Sequence, residues 1–350
     1  MDDRKILQTD WDEPAALDQN AADWEFLRVK QGLRKHHAVS VVISILLVFT
    51  ILTATLLYVL PTMEKRYQNP EEKNYSNDFS DMEFTLRTFS ELFVPNQNVC
   101  DVKSVKTGFA EYDLSVTFRQ LRNRNQYISR DAVMERGRLS VQAGMWEFPE
   151  EQDFYLDTAS EGAYYFSTAE KSLEKLPDYV KVLAYITFPE DLSVDEFMML
   201  LRRVGSAELE IPGLINWIGI RAQKDGQDIY PLCGMKPFYA NDGEQLGRIN
   251  EYYPAYSIYG MDRPVDTASA VKEHFKSLLQ YSIDQQKEGK GILPEGELAG
   301  TYYETVMEYI NTNGIYVYGC SMTAAPAQLL ELLRDGTVCA VSIQDVWIAF

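Results

Sequence analysis

The 350-residue chain is poor in the residues that most often carry metals and catalysis. It has three histidines, and His274 is the one that lies beyond the first 37 residues. Its four cysteines, Cys100, Cys233, Cys320 and Cys339, show neither CxxC spacing nor a neighbouring histidine, which argues against a zinc site. The sequence also lacks GxSxG, HExxH and phosphate-binding glycine motifs. We therefore expect no cofactor, no metal site, no catalytic residues and no enzyme activity.

Basic residues are outnumbered, with 33 Lys and Arg against 52 Asp and Glu and a net charge of −19. A surface of this sign repels nucleic acid, so we expect no direct nucleic-acid partner. Hydrophobic residues make up 46% of the chain and aromatic residues 12%, which indicates folded domains rather than a disordered chain.

Charge is absent from one 23-residue run, Ala38 to Leu60. At 1.5 Å per residue such a helix reaches roughly 34 Å, enough to cross a hydrocarbon core of ~30 Å. The alternative is a secretory signal, whose apolar core is about 7 to 15 residues long and ends in a small-x-small cleavage site. Because this run is longer and ends in Leu-Pro-Thr-Met-Glu, the sequence favours a retained transmembrane helix.

The basic residues that flank the span favour an N-terminus inside the cell, by four to three. No second apolar span follows, so we expect the rest of the chain to fold outside. We predict a single-pass protein of the cell membrane, with a cytoplasmic N-terminus and an extracellular C-terminal domain. The flanking basic residues are Arg28, Lys30, Arg34 and Lys35 before the span and Lys65, Arg66 and Lys73 after it.

The sequence divides into five predicted segments. Extended stretches dominate from about Phe84 to Trp146, whereas the polar residues between the span and this region show no apolar period. The predicted segments are a cytoplasmic head (1–37), a transmembrane helix (38–60), a juxtamembrane stalk (61–83), a β-rich extracytoplasmic subdomain (84–165) and a C-terminal α/β domain (166–350).

Two stretches of the C-terminal domain show the pattern of a β-α-β unit. In the first, apolar residues alternate from Val180, Ser193 and Glu196 form a capping box for a helix, and a strand follows at Leu214–Arg221. In the second, a strand at 315–323 is followed by a helix and a strand at 338–346. Between the two units we predict helices at about 268–287 and 298–311. The predicted fold class is α+β, with a single transmembrane helix, a β-rich subdomain and a C-terminal ferredoxin-like domain built from split β-α-β units.

These segments resemble a known family. Residues 173–201, the segment GLINWIGI and residues 309–346 are similar to the C-terminal domain of transmembrane anti-sigma factors of Gram-positive bacteria. The matching tail has an Asn-Gly turn, a strand that contains Tyr318-Gly319, a helix opened by Pro326 and a final strand. The segment RTFSELFVPNQNVCDVKSV and the preceding span resemble the N-terminal module of the same sigma factor regulator family.

The resemblance implies a membrane-bound anti-sigma factor. Its cytoplasmic head would sequester an extracytoplasmic-function sigma factor and release it when the outer domain senses cell envelope stress. The lipid bilayer is a second partner, and a second small membrane protein is a further candidate because some family members act with one. The head of this chain is short and lacks the long charged helices of many members, so the family supplies no individual sigma-binding residues.

The head itself supplies candidates for the sigma-binding surface. Its apolar residues form two stripes at helical spacing, and buried aromatic residues commonly dominate binding energy. The first 25 residues carry 8 acidic and 2 basic side chains, which suits a basic partner surface. The predicted sigma-binding residues are Trp11, Leu17, Trp24, Phe26, Leu27 and Leu33.

Other interpretations stay open. The head helix could lie on the bilayer, with Trp and Phe among the headgroups and its basic residues beside the phosphates. The protein would then be a membrane-anchored extracellular binding module without signalling. An extracellular hydrolase is less favoured, since no pair of carboxylates stands out as a glycosidase site.

Overall fold

The computed structural model of the chain describes two compact units, Met1–Glu64 and Lys65–Phe350. Helices make up the first unit, and helices with two main antiparallel sheets make up the second. This confirms the α+β class. The described residues are 19–120, 126–141, 145–154, 162–204, 215–236, 247–256, 268–294 and 298–348.

The part of the first unit that the structure describes, from Gln19, is a single run of helical structure. It consists of α1 (Gln19–Ala54), a π-helical turn (Thr55–Val59) and α2 (Leu60–Glu64). Its Phe26–Glu64 portion is long and apolar enough to cross a membrane. The whole run is about 69 Å long at 1.5 Å per residue, roughly twice the thickness of a hydrocarbon core. The residues before the predicted span therefore continue the same helix.

Proline accounts for the π-helical turn. Pro61 has no N–H, and its ring would clash with the carbonyl four residues earlier in a regular α-helix. The backbone N–H of Leu60 bonds to Thr55 O, one residue further back than in an α-helix. The Thr62 hydroxyl donates to Tyr58 O at 2.6 Å, which satisfies a carbonyl at this irregular point.

Hydroxyl groups within the span are bonded to their own helix. Ser44, Thr50, Thr53 and Thr55 each donate to the carbonyl four residues earlier, at 2.8 to 2.9 Å. Side chains bonded in this way satisfy their polar hydrogens in a medium that offers no water. The helix can therefore face lipid along these positions.

The second unit begins with a helix that the sequence analysis missed. Extended structure was expected from Phe84, but α3 (Asp81–Phe93) is helical, so that prediction is wrong at its start. The Ser80 hydroxyl accepts from the Glu83 backbone N–H at 3.2 Å and caps the helix. Every residue of α3 is buried, so its polar side, which includes Glu83, Arg87 and Glu91, is covered by protein as well as its apolar side.

A four-stranded antiparallel meander follows α3, as the prediction of a β-rich region requires. One face of this sheet packs on a small core that includes Leu114, Val116 and Phe118, while Val105 and Tyr127 remain exposed. The alternation of buried and exposed residues follows the two-residue period of a strand. The strands are β1 (Gln97–Gly108), β2 (Glu111–Gln120), β3 (Tyr127–Glu135) and β4 (Arg138–Val141).

The C-terminal sheet has the strand order β11-β5-β10-β6-β9, with every neighbouring pair antiparallel. The two predicted units are present as β5-α5-β6 and β10-α9-β11, and their first strands lie side by side at the centre. This order confirms the ferredoxin-like domain. The elements are β5 (Val180–Ser193), α5 (Val194–Val204), β6 (Ile215–Ile220), β9 (Gly234–Met235), β10 (Tyr316–Ala324), α9 (Pro326–Arg334) and β11 (Ala340–Ile348).

Sequence signals at the ends of these helices act as predicted. The Ser193 hydroxyl accepts from the Glu196 backbone N–H, and the Glu196 carboxylate accepts from Ser193. Pro326 occupies the first turn of α9, and Gly336 follows the helix with a φ of +74°. Such a positive φ favours glycine, which explains why α9 ends there.

A long insertion joins β6 to β10, and it contains the two helices that the sequence predicts. Helix α7 packs against α3, α5 and α8. Helix α4 spans the predicted segment boundary at residue 166 and packs against α9 and β11. The insertion elements are β7 (Gln223–Lys224), β8 (Gln227–Asp228), α6 (Ile249–Tyr252), α7 (Ala268–Lys287) and α8 (Tyr302–Asn313), and α4 is Gly162–Leu173.

The C-terminal sheet is covered on both faces. Alternate residues of β5, such as Val182 and Ile186, face the largest core, whereas Tyr185 points to the opposite side. There it stacks on Phe154, with ring centroids 4.8 Å apart. This aromatic cluster consists of Phe154, Tyr185, Trp217, Leu232 and Tyr318.

Part of the predicted stalk is packed rather than extended. Tyr75 and Phe79 lie against the largest core, and both rings make edge contacts with Phe84. The C-terminal end of the predicted juxtamembrane stalk (61–83) is therefore packed against the second unit, because these aromatic side chains gain by burial.

Gly319 lies where β10 approaches β5 most closely. A bulge interrupts the pairing between Val317 and Gly319. A Cβ atom at this position would lie 2.3 Å from the carbonyl oxygen of Ile186 and 3.0 Å from the Phe154 ring. The glycine in the Tyr318-Gly319 pair of the sequence motif is therefore needed for steric reasons.

We predict that Gly319→Ala lowers the free energy of unfolding by about 1–3 kcal/mol, because the central strands must move apart. The measurement is guanidinium unfolding of the full chain in detergent, followed by tryptophan fluorescence. Gly300→Ala is the matched control, since an added Cβ at Gly300 meets nothing within 4 Å. Equal stability of the two variants would contradict the steric account.

Candidate functional site

The predicted sigma-binding residues that the structure describes are exposed on α1. The exposed fractions are 71% for Trp24, 66% for Phe26, 48% for Leu27 and 55% for Leu33. Large apolar side chains that are this accessible mark interaction surfaces when they occur together. Trp11 and Leu17 lie outside the described residues.

These four residues form two pairs on different sides of the helix. At about 100° per residue, Trp24 and Leu27 lie roughly 60° apart, and Phe26 and Leu33 roughly 20° apart. The two pairs face nearly opposite directions, so the helix brings the members of each pair together but keeps the pairs apart. Val29 is 61% exposed and adds to this apolar surface, on one of the predicted stripes. A partner that contacts both pairs must therefore surround the helix or present two separate surfaces.

Basic side chains share this part of α1. Arg28, Lys30, Arg34 and Lys35 are exposed, and Lys30 Nζ lies 5.9 Å from the centroid of the Phe26 ring. A cation over an aromatic face is a favourable contact. The segment before the span thus combines an apolar surface with positive charge, which suits both a protein partner and anionic headgroups.

In the second unit, α3 carries a buried carboxylate. Glu91 Oε1 lies 2.8 Å from His274 Nε2 and accepts from the Lys236 backbone N–H at 3.3 Å. The other ring nitrogen, His274 Nδ1, lies 2.8 Å from the carbonyl oxygen of Ala255. A carbonyl oxygen only accepts, so Nδ1 carries a proton, and a second proton lies between Nε2 and Glu91. We call Glu91, Lys236 and His274 the Glu91 cluster.

The Glu91 cluster joins several elements of the second unit. Lys236 Nζ donates to Gln97 O at 2.9 Å, and Trp217 Nε1 donates to Glu91 O at 2.9 Å. Burial lowers the pKa of Lys236 to about 8, although the nearby Glu91 opposes the shift. Because the three side chains are sealed from solvent, the cluster acts as a structural tie between α3, α7 and both sheets.

Residues 173–345 match the family model described as sigma factor regulator C-terminal. The chain belongs, through this domain, to the sigma factor regulator family. The match begins at the end of α4 and ends within β11, so it covers both β-α-β units and the insertion between them. No curated protein and no solved structure matches the chain.

Membership of this family makes the protein an anti-sigma factor in the general sense, with a sigma factor as its partner. The family is regulatory rather than enzymatic. The apolar N-terminal helix has the length and composition of a single-pass membrane anchor.

Side chains that can bind metals are scattered over the described residues. Among them, no group of three or more His, Cys, Asp or Glu side chains could hold a metal ion. The cysteines are thiols, and burial raises the pKa of Cys233 to about 12 and also raises that of Cys320. Thiols with raised pKa values are poor nucleophiles at neutral pH.

No pattern in the sequence indicated the Glu91 cluster. Glu91 and His274 are 183 residues apart, and each lies in a segment that reads as an ordinary amphipathic stretch. Both ring nitrogens of His274 have partners, so this histidine is a satisfied structural residue.

We predict that His274→Ala lowers the free energy of unfolding of this regulator by about 3–5 kcal/mol, because it leaves the Glu91 carboxylate buried without its main partner. Guanidinium unfolding of the full chain measures the effect. The control is Lys272→Ala on the same helix, which removes an exposed pair with Asp195. Exposed pairs contribute about 0–1 kcal/mol, so the same small loss in both variants would show that the cluster is not a structural tie.

Proposed function

We propose that this regulator is a membrane-bound anti-sigma factor whose cytoplasmic head sequesters an extracytoplasmic-function sigma factor. The outer unit senses envelope conditions, and the head then releases the sigma factor. The family match supports a sigma factor as the partner, and the helix supports attachment to the membrane. The extracytoplasmic-function class of the partner and the envelope signal are part of this proposal.

The observation that carries the proposal is the apolar surface at the start of α1. Trp24, Phe26 and Leu33 each expose more than half of their surface. They precede the charge-free run that begins at Ala38 and lie among four basic side chains, so we place them outside the hydrocarbon core. Burial of such side chains against a partner yields about 25 cal/mol per Å² of apolar area. Aromatic residues of this kind often act as binding hot spots.

Charge complementarity of the acidic N-terminal part of the head favours a sigma factor over a nucleic acid as the partner. The first 25 residues carry 8 acidic and 2 basic side chains. A sigma factor must bind DNA, so it presents basic surface that an acidic peptide can cover. Occupation of that surface by the head would block transcription from the target promoters.

The proposed orientation places the N-terminus in the cytoplasm. The basic residues of α1 before the span outnumber those that follow it, and basic residues are retained inside. The second unit would then fold outside the cell. A second small membrane protein is a further possible partner of the span.

The alternative is a membrane-anchored extracellular binding module without signalling. In that case Trp24 and Phe26 would lie among the lipid headgroups, with Lys30 beside the phosphates. The two functions differ in one outcome, since only the anti-sigma factor needs these aromatic side chains for control of transcription.

The test is repression of a promoter that depends on the sigma factor encoded beside this gene. We predict that Trp24→Ala with Phe26→Ala abolishes repression, because each hot-spot truncation costs about 2 kcal/mol or more and the pair weakens binding by at least ~100-fold. Immunoblotting of membranes verifies equal protein levels.

The matched control is Val105→Ala with Tyr127→Ala, which removes similar exposed apolar side chains from the meander. This control should repress as the unmodified chain does. Full repression by the Trp24 and Phe26 variant would instead favour the anchored binding module.

A further inference from the structure

A polar pocket opens on the second unit where three distant segments meet. The segment before α3, helix α6 and the C-terminal end of α7 surround it. Its volume is about 640 Å³, within the range of roughly 300–1,000 Å³ for small-molecule sites. Three tyrosines, Tyr75, Tyr252 and Tyr253, line it. We call it the tyrosine pocket.

The tyrosines are held in a fixed arrangement. The Tyr75 ring meets Tyr252 and Tyr253 edge-on, with centroids 5.5 and 6.1 Å apart. The Arg248 backbone N–H donates to Tyr75 O at 2.7 Å, which holds α6 against the segment before α3. Tyr253 is 8% exposed and Tyr252 is 56% exposed, so Tyr252 presents its ring at the rim.

The buried polar groups of the pocket are positioned by the protein itself. Asp81 is 5% exposed, and its two carboxylate oxygens accept from the Asn74 backbone N–H at 2.8 Å and from Asn74 Nδ2 at 2.6 Å. The Tyr253 hydroxyl donates to Asp284 Oδ2 at 3.3 Å. Carboxylate oxygens have several lone pairs, so both groups retain acceptor capacity for a ligand.

The charges of the lining balance, with three acidic and three basic residues. The two lysines already pair with glutamates, because Lys287 lies 3.2 Å from Glu304 and Lys290 lies 3.2 Å from Glu288. An anionic ligand would have to displace these pairs and would also face the buried Asp81. The pocket therefore suits an uncharged ligand.

We propose that the tyrosine pocket binds an uncharged saccharide. The face of an aromatic ring packs on the C–H face of a sugar, and Tyr252 offers such a face. Sugar hydroxyls both donate and accept, so they can bond to carboxylates, amides and tyrosine hydroxyls in one site. That the saccharide is the envelope signal rests on the proposed function, whereas its binding does not.

The test is calorimetric titration of the purified full chain in lipid nanodiscs with chitotriose, cellotriose and inorganic phosphate. The chitotriose is the fully N-acetylated, uncharged form. At least one trisaccharide should bind with a Kd of about 1 mM or tighter, and phosphate should not bind. Tyr252→Ala should weaken binding of that trisaccharide by roughly tenfold, because a stacked ring is lost. Tyr252→Phe keeps the ring and should bind as the unmodified chain does.

The control is Tyr179→Ala, which removes a tyrosine that is 64% exposed and is not part of the pocket. The proposal is overturned if neither trisaccharide binds at about 10 mM, a concentration roughly ten times the expected Kd. It is also overturned if Tyr252→Ala binds as well as Tyr179→Ala, or if phosphate binds instead. No sigma factor is present in this titration, so its outcome is independent of the promoter test.

Discussion

The burial of helix α3 is the constraint on which the second unit depends. Phe84 and Phe93 of this helix belong to the largest core, whereas Met82 and Leu86 belong to the core beneath the meander. One helix thus contributes to both hydrophobic cores, which Trp146 and Ile292 also contact. The cost of burying the Glu91 carboxylate of α3 is offset by its hydrogen bonds with His274 and with the Lys236 backbone N–H. The meander, the ferredoxin-like domain and α7 are positioned by this one element.

The parts of the fold that follow local rules could be predicted from the sequence. Alternation along β5, the capping box at Ser193 and the Pro326 helix start all depend on residues a few positions apart. Helix α3 was missed although its apolar residues lie at helical spacing and Ser80 and Glu83 form a usable capping signal, because the extended stretches that follow it dominate the segment. The Glu91 cluster and the tyrosine pocket could not be predicted, since the chain brings together residues that are distant in sequence.

The site on α1 could be predicted in part. The described residues of the two predicted stripes, Trp24 and Leu27 on one side and Phe26, Val29 and Leu33 on the other, are exposed. Their position on the same run of helix as the span is the feature that the sequence did not indicate. A signal in the outer unit can change sigma binding only if the two states of the protein differ in free energy of interaction with that signal. We propose that ligand binding in the tyrosine pocket supplies this difference in free energy between the two states.

The central claim is that the head and the second unit lie on opposite sides of the membrane. Its most direct test is labelling of intact cells with a membrane-impermeant maleimide, using Gln31→Cys in α1 and Val105→Cys in the meander, both at exposed positions. Mass spectrometry of the peptides reports each position separately. We predict modification at position 105 in intact cells and at position 31 only after lysis. Modification at position 31 in intact cells, with position 105 protected, would contradict the account.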